Sequence, residues 1–128
     1  MPLYRVFTEP GLLDEPARKA YAADVTRIHC ELTGAPPDFV HVLHAESDDG
    51  RLGDARANVF GTIRAGRTDQ QKADIVEQLG EALADRAGID ASAVSVSTMD
   101  VEASWTMEGG RLLPEPGDEG AWKAEGEA

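Results

Sequence analysis

Pro2 is the residue whose position promises the most chemistry. Methionine is commonly trimmed before a small residue, and trimming here leaves Pro2 as a free secondary amine. An α-amino group titrates near ~7.7–8.0. Apolar surroundings and nearby cations lower that value, because both disfavour the charged form. A buried terminal proline is then a neutral base near physiological pH. Pro2 is also a common second residue, so taken alone it carries no assignment.

Arg64 and Arg67 are separated by Ala65-Gly66 and precede a helix start. Each guanidinium presents a fork of donors that matches a carboxylate, and a helix N-terminus adds to an anion site. The same spacing also fits two solvated surface arginines. His29 follows the apolar position Ile28 on a helical stripe. It is either a donor to a substrate oxygen or a satisfied helical histidine. Glu108 lies in an irregular segment beside Gly109-Gly110. A loop carboxylate can move a proton or activate water, although a surface glutamate reads the same way.

Other chemistries find no support. His41 and His44 fall on opposite faces of a strand, and with His29 and Cys30 they give no recognised zinc spacing. No metal site and no cofactor is expected. Cys30 has no activating motif around it. The chain carries no phosphate-binding glycine loop, nucleophile elbow or dinucleotide fingerprint.

The elements that must position these residues follow from the pattern. Leu3 to Thr8 reads as a strand, broken by Glu9-Pro10-Gly11. Asp14 caps a helix from Glu15 to Thr33, in which Tyr21, Val25, Ile28 and Leu32 recur at helical spacing. Gly34 and Pro36-Pro37 end it. Phe39 to Ala45 alternates as a strand, with Phe39, His41 and Leu43 on one face. Glu46 to Asn58 reads as a loop and Val59 to Ile63 as a short strand. Thr68 and Gln71 have capping-box spacing for a helix starting near Asp69 and ending at Gly88. Ala93 to Thr98 is a fourth strand. The expected fold is α+β: two βαβ units forming a four-stranded mixed sheet, with two helices on one face. The bare sheet face is expected to be covered by other subunits.

Residues 1–128 read as a single domain, with a body over 1–100 and a C-terminal wrapping segment over 101–128. The end of that segment, Asp118 to Ala128, is acidic and expected to be mobile, with Trp122 as a candidate anchor for part of it. The formal charge of −12 disfavours nucleic acid and anionic membrane surfaces as partners. No apolar run reaches membrane-spanning length and no signal peptide is visible. The single cysteine fits a cytoplasmic location. An anionic small substrate is compatible with this charge only where arginines concentrate.

Together these pieces resemble the tautomerase superfamily, and within it the cis-3-chloroacrylic acid dehalogenase group. The resemblance runs through Met1-Pro2-Leu3-Tyr4, then Ile28-His29-Cys30-Glu31-Leu32-Thr33-Gly34, then Arg64-Ala65-Gly66-Arg67. It continues in the tail from Glu108-Gly109-Gly110-Arg111 to Glu119-Gly120-Ala121-Trp122. It implies a homotrimer whose sheets line a central barrel, with the amino-terminal proline near a subunit interface. In those dehalogenases a cationic proline protonates the substrate, a His and two Arg bind its carboxylate, and a Tyr and a Glu activate water. Pro2, His29, Arg64, Arg67 and Glu108 fall on matching positions. The tyrosine's place falls at Ser97.

That departure shifts the expected reaction. Serine is too short to replace a phenol and is a poor base, and losing one positioned proton-transfer group costs a factor of ~10²–10⁴. Keto–enol exchange needs no activated water. It needs a group that moves a proton and cations that stabilise the enolate. The expected activity is a tautomerase acting on a small 2-oxo acid, phenylpyruvate-like or a dienol acid. Pro2 shuttles the proton, while His29, Arg64 and Arg67 bind the carboxylate. Glu108 is vestigial or assists a minor water-adding activity, and Trp105 is either an apolar wall or an interface residue. The alternatives are a hydratase or hydrolytic dehalogenase of 3-haloacrylate-like acids, and a non-catalytic trimeric homologue.

Overall fold

Strand alternation in the first residues sets the sheet. In the computed structural model, which describes residues 1–48 and 50–127, Leu3–Thr8 is strand β1 and turns Tyr4, Val6 and Thr8 inward. The Asp14 side chain accepts a hydrogen bond from the Ala17 amide at 2.9 Å and starts helix α1, Glu15–Thr33. A cap of this kind is worth about 1 kcal/mol. The helix buries Tyr21, Val25, Ile28 and His29, and stops where Gly34 turns left-handed at φ 77°. Glycine takes that conformation without a Cβ penalty.

Pro37–Phe39 then forms a single 3-10 turn, and strand β2 spans His41–Glu46. The expected strand from Phe39 therefore starts two residues later. Proline cannot donate to a ladder, and the turn carries Phe39 into the interior, away from exposed His41 and Leu43. Strand β3 spans Ala57–Arg64 and helix α2 spans Asp69–Ala87 behind a complete Thr68–Gln71 capping box. Strand β4 spans Val94–Val101. The second-half strands are longer than the pattern implied, because backbone pairing continues past the apolar residues: Ala57 pairs with Thr8, and Arg64 with Val101. The expected loop over 46–58 shrinks accordingly. Asp49 within it, and Ala128 at the chain end, lie outside the described residues.

The sheet order is β2-β1-β3-β4, with the outer pairs parallel and the central β1–β3 pair antiparallel. Helices α1 and α2 lie against each other and against this sheet. The Tyr21 hydroxyl donates to the Leu79 carbonyl at 2.9 Å, tying the two helices inside a core that includes Val25, Val59, Ile75 and Leu83. The opposite face keeps Leu43 and Met99 about half exposed, at 53% and 49%.

The acidic end departs from expectation. After a hairpin of β5 (Met107–Glu108) and β6 (Arg111–Leu112), Glu119–Glu127 forms a third helix, α3. It is docked, not loose. Trp122 meets the Phe39 ring edge-on at 5.5 Å and its Nε1 donates to the Leu112 carbonyl at 2.6 Å. Lys123 bonds to Asp38 at 2.8 Å and Glu119 bonds to Arg64 at 2.7 Å. Those anchors come from distant parts of the chain, so local composition could not show them.

Candidate active site

The antiparallel β1–β3 pairing decides which residues meet. Leu3 opposes Thr62, so the start of β1 lies beside Ile63 and Arg64 at the end of β3. Pro2 is fully buried there, and its carbonyl accepts from the His41 amide at 3.0 Å. The Met1 amine contacts Glu108 Oε1 at 2.5 Å, and the same oxygen lies 3.4 Å from His41 Nε2. The hairpin thus brings Glu108 to the amino terminus.

His29 enters from α1 and is 1% exposed. Its Nδ1 lies 2.7 Å from the Tyr4 hydroxyl. Burial raises the Tyr4 pKa, partly offset by Arg67, so the phenol keeps its proton. Burial, then the charges of Arg67 and Arg64, push the His29 pKa down to about 3, so the imidazole is neutral. A protonated phenol facing a neutral ring donates to Nδ1, which assigns the remaining imidazole proton to Nε2. That Nε2 is buried without a partner among the described residues. It is a free donor near the two arginines whose charges depress its pKa.

The arginines differ. Arg64 is 2% exposed, donates to the Pro114 carbonyl at 2.8 Å and to Glu119 at 2.7 Å, and lies over the Phe39 ring at 5.3 Å. Arg67 makes a long bond, 3.3 Å, to the Thr33 carbonyl. Burial, then the neighbouring Arg64 charge, lowers its pKa. The Nε atoms of both are buried and unpartnered among the described residues. Buried donors are rarely left in this state. Three of them in one charged cluster form a site that can bind an anion and stabilise negative charge developing on an oxygen.

Pro2, His29, Arg64, Arg67 and Glu108 therefore all lie around one end of the sheet. Ser97 does not join them. It is exposed in mid-β4, opposite Phe60, while Arg64 pairs with Val101 four positions on, roughly 13 Å along the strand. Trp105 is 83% exposed and flanks Met99 in an open apolar groove that also includes Val101, the β4 partner of Arg64. Three contributors escaped the sequence reading: Tyr4, His41 and Glu119. Tyr4 alone left a signal, since it shares the inward phase of β1 with Pro2.

Comparison with known proteins adds the following. A family model described as "Tautomerase enzyme" matches residues 62–113. Among solved structures, N1, a member of the cis-3-chloroacrylic acid dehalogenase family, is 34% identical with a TM-score of 0.88, covering 95% of this chain and 90% of its own. The protein Ps01740 is 38% identical with a TM-score of 0.76, covering 83% of this chain and 99% of its own. A fused 4-OT that forms a symmetric trimer is 25% identical with a TM-score of 0.75, covering 87% of this chain and 94% of its own. Comparison with curated proteins finds no match.

Proposed function

From the premise that this chain belongs to the tautomerase superfamily and resembles its cis-3-chloroacrylic acid dehalogenase group, we propose that it is a tautomerase of small 2-oxo acids with Pro2 as its base. Removal of Met1 frees the Pro2 nitrogen in the space where the Met1 amine now meets Glu108. The neutral amine takes a proton from one position of the enol acid and returns it at carbon. Arg67 and the His29 Nε2–H face the negative charge that gathers on the substrate oxygens. The observation that carries this reading is the set of buried, unpartnered donors beside the terminus. Preorganised donors stabilise developing charge without reorganising at the moment of reaction. A homotrimer is part of the proposal, supported by the bare sheet face with Leu43 and Met99 and by the trimeric relative.

The test is ketonisation of phenylenolpyruvate by untagged protein beside Pro2→Ala. The expected result is a fast rate that falls by about 10²-fold or more in the variant. A rate indifferent to the change would remove Pro2 from the mechanism.

A second reading has one observation in its favour. His41 Nε2 lies 3.4 Å from Glu108, and a histidine–carboxylate pair can deprotonate water. Such a pair would serve hydration or hydrolytic dehalogenation of an unsaturated acid without the missing phenol. Halide release from 3-haloacrylate that is lost in Glu108→Gln would favour it over tautomerisation.

A further inference from the structure

We propose that Glu119 sets the charge of the substrate: by filling one side of Arg64 it leaves the pocket matched to an anion with a single carboxylate and closed to a dianion. This rests on the tautomerase reading and names the substrate class of the same site.

The charge inventory is short. The buried cluster holds two cations, Arg64 and Arg67, and a neutral His29. Glu119 is one of the few acidic side chains of the acidic tail that turns inward, its side chain 12% exposed against the 1% of Arg64. Burial works to raise its pKa, but the Arg64 hydrogen bond, backbone donors and the Arg64 charge together hold it below the usual range, so it is ionised. Its second oxygen accepts from the Gly117 amide at 3.0 Å. Both terminal nitrogens of Arg64 are thereby engaged, one by Glu119 and one by the Pro114 carbonyl. Within this arginine–histidine cluster Arg67 is the cation without an ion-pair partner among the described residues, and buried donors surround it.

A monocarboxylate neutralises that charge. A second carboxylate on the same ligand finds the Arg64 guanidinium already neutralised by Glu119, and an uncompensated buried charge is expensive. Discrimination of this kind works by repulsion as much as by attraction. The device is held independently of the charge it supplies. Trp122 against Phe39, Arg111 to the Trp122 carbonyl at 2.7 Å, and Lys123 to Asp38 all anchor α3 without Glu119.

The experiment compares ligands of one shape and two charges. Calorimetry gives the Kd of 3-phenylpropionate and of 3-(4-carboxyphenyl)propionate, and turnover gives kcat/KM for phenylenolpyruvate and its 4-carboxyl derivative. Each is measured on the wild type and on Glu119→Gln. The wild type is expected to favour the monoanion by roughly 10- to 100-fold, and Glu119→Gln to remove most of that gap. Equal binding of both ligands by the wild type would overturn the proposal without any variant. An unchanged preference in a Glu119→Gln protein with wild-type circular dichroism would overturn it as well. Calorimetry needs no turnover, so a charge preference without ketonisation would leave this inference standing while the tautomerase reading fell.

Discussion

The two βαβ units of this chain match element for element, yet the residues at matching positions differ in the chemistry they offer. Helix α1 runs Glu15–Thr33 and α2 runs Asp69–Ala87, a constant offset of 54 (69 less 15, 87 less 33). The same offset carries the Asp14 cap onto Thr68, Gly34 onto Gly88, and the turn at Pro37–Phe39 onto Ala91–Ala93. It also carries Pro2 onto Arg56, Tyr4 onto Asn58 and His29 onto Leu83. The first unit therefore places a terminal nitrogen, a phenol and an imidazole where the second places an amide, a carboxamide and a leucine. The Arg56 nitrogen is an amide already donating to the Ala93 carbonyl at 2.8 Å. It has no lone pair to give. A duplicated scaffold offers two equivalent sheet ends, and in the proposed function the one beside Pro2 holds the amine base.

The comparison breaks most sharply at its nitrogen atoms. Pro2→Ala is expected to cost about 10²-fold or more in ketonisation rate, through loss of the ring that holds the amine. Arg56→Ala, at the matching position, is expected to leave the rate unchanged, since Arg56 is exposed and, among the described residues, bonded to Glu9 and backbone. Parallel steady-state assays check both. If Arg56→Ala lost activity equally, the two ends would not differ as argued.

The His29–Leu83 pair separates binding from stability. His29→Leu removes the buried donor and is expected to raise KM for an enol acid by roughly 10-fold or more, with the fold retained. Leu83→Ala opens a hole in a fully buried core position and is expected to cost about 2–5 kcal/mol in denaturant unfolding, with KM unchanged.

His29 also gives the first unit a pH dependence that Leu83 cannot give the second. Its folded pKa of about 3 lies below its ordinary 6.5. Between those values the unfolded chain binds the proton and the folded chain does not, so acidification favours unfolding. Stability at pH 4 is expected to be lower than at pH 7, and the part due to His29 disappears in His29→Leu. Unfolding midpoints at both pH values, in the two proteins, read this directly.

The smallest predicted effect is at Gly61, which opposes Tyr4 in the β1–β3 pairing. A Cβ there would overlap the Tyr4 ring. Gly61→Ala is expected to cost ~1–3 kcal/mol and to raise KM as well, because displacing Tyr4 releases the His29 tautomer. A loss of stability with KM untouched would show that Tyr4 does not orient His29.

Much of the fold was legible because its signals are local. Asp14, Thr68, Gly34 and Gly88 mark helix ends within one turn, and Tyr21, Val25 and Ile28 repeat at the helical period. Strand ends were less legible, since backbone pairing carried β3 and β4 beyond their apolar residues. Pro2, His29, Arg64, Arg67 and Glu108 drew attention by type and order. What joins them did not, because it depends on tertiary approach. Tyr4 meets His29 across 25 positions and Arg64 meets Glu119 across 55. The tail looked mobile because acidity is read from composition, whereas its docking is set by single contacts from Trp122, Lys123 and Glu119.

The central claim is that catalysis begins at a freed Pro2 nitrogen. The direct measurement is the ketonisation rate of two preparations sorted by intact mass, one beginning at Pro2 and one retaining Met1. Activity confined to the protein that has lost Met1, in proportion to its fraction, is the predicted result. Equal activity in protein that retains Met1 would contradict it, because the Pro2 nitrogen would then be an amide.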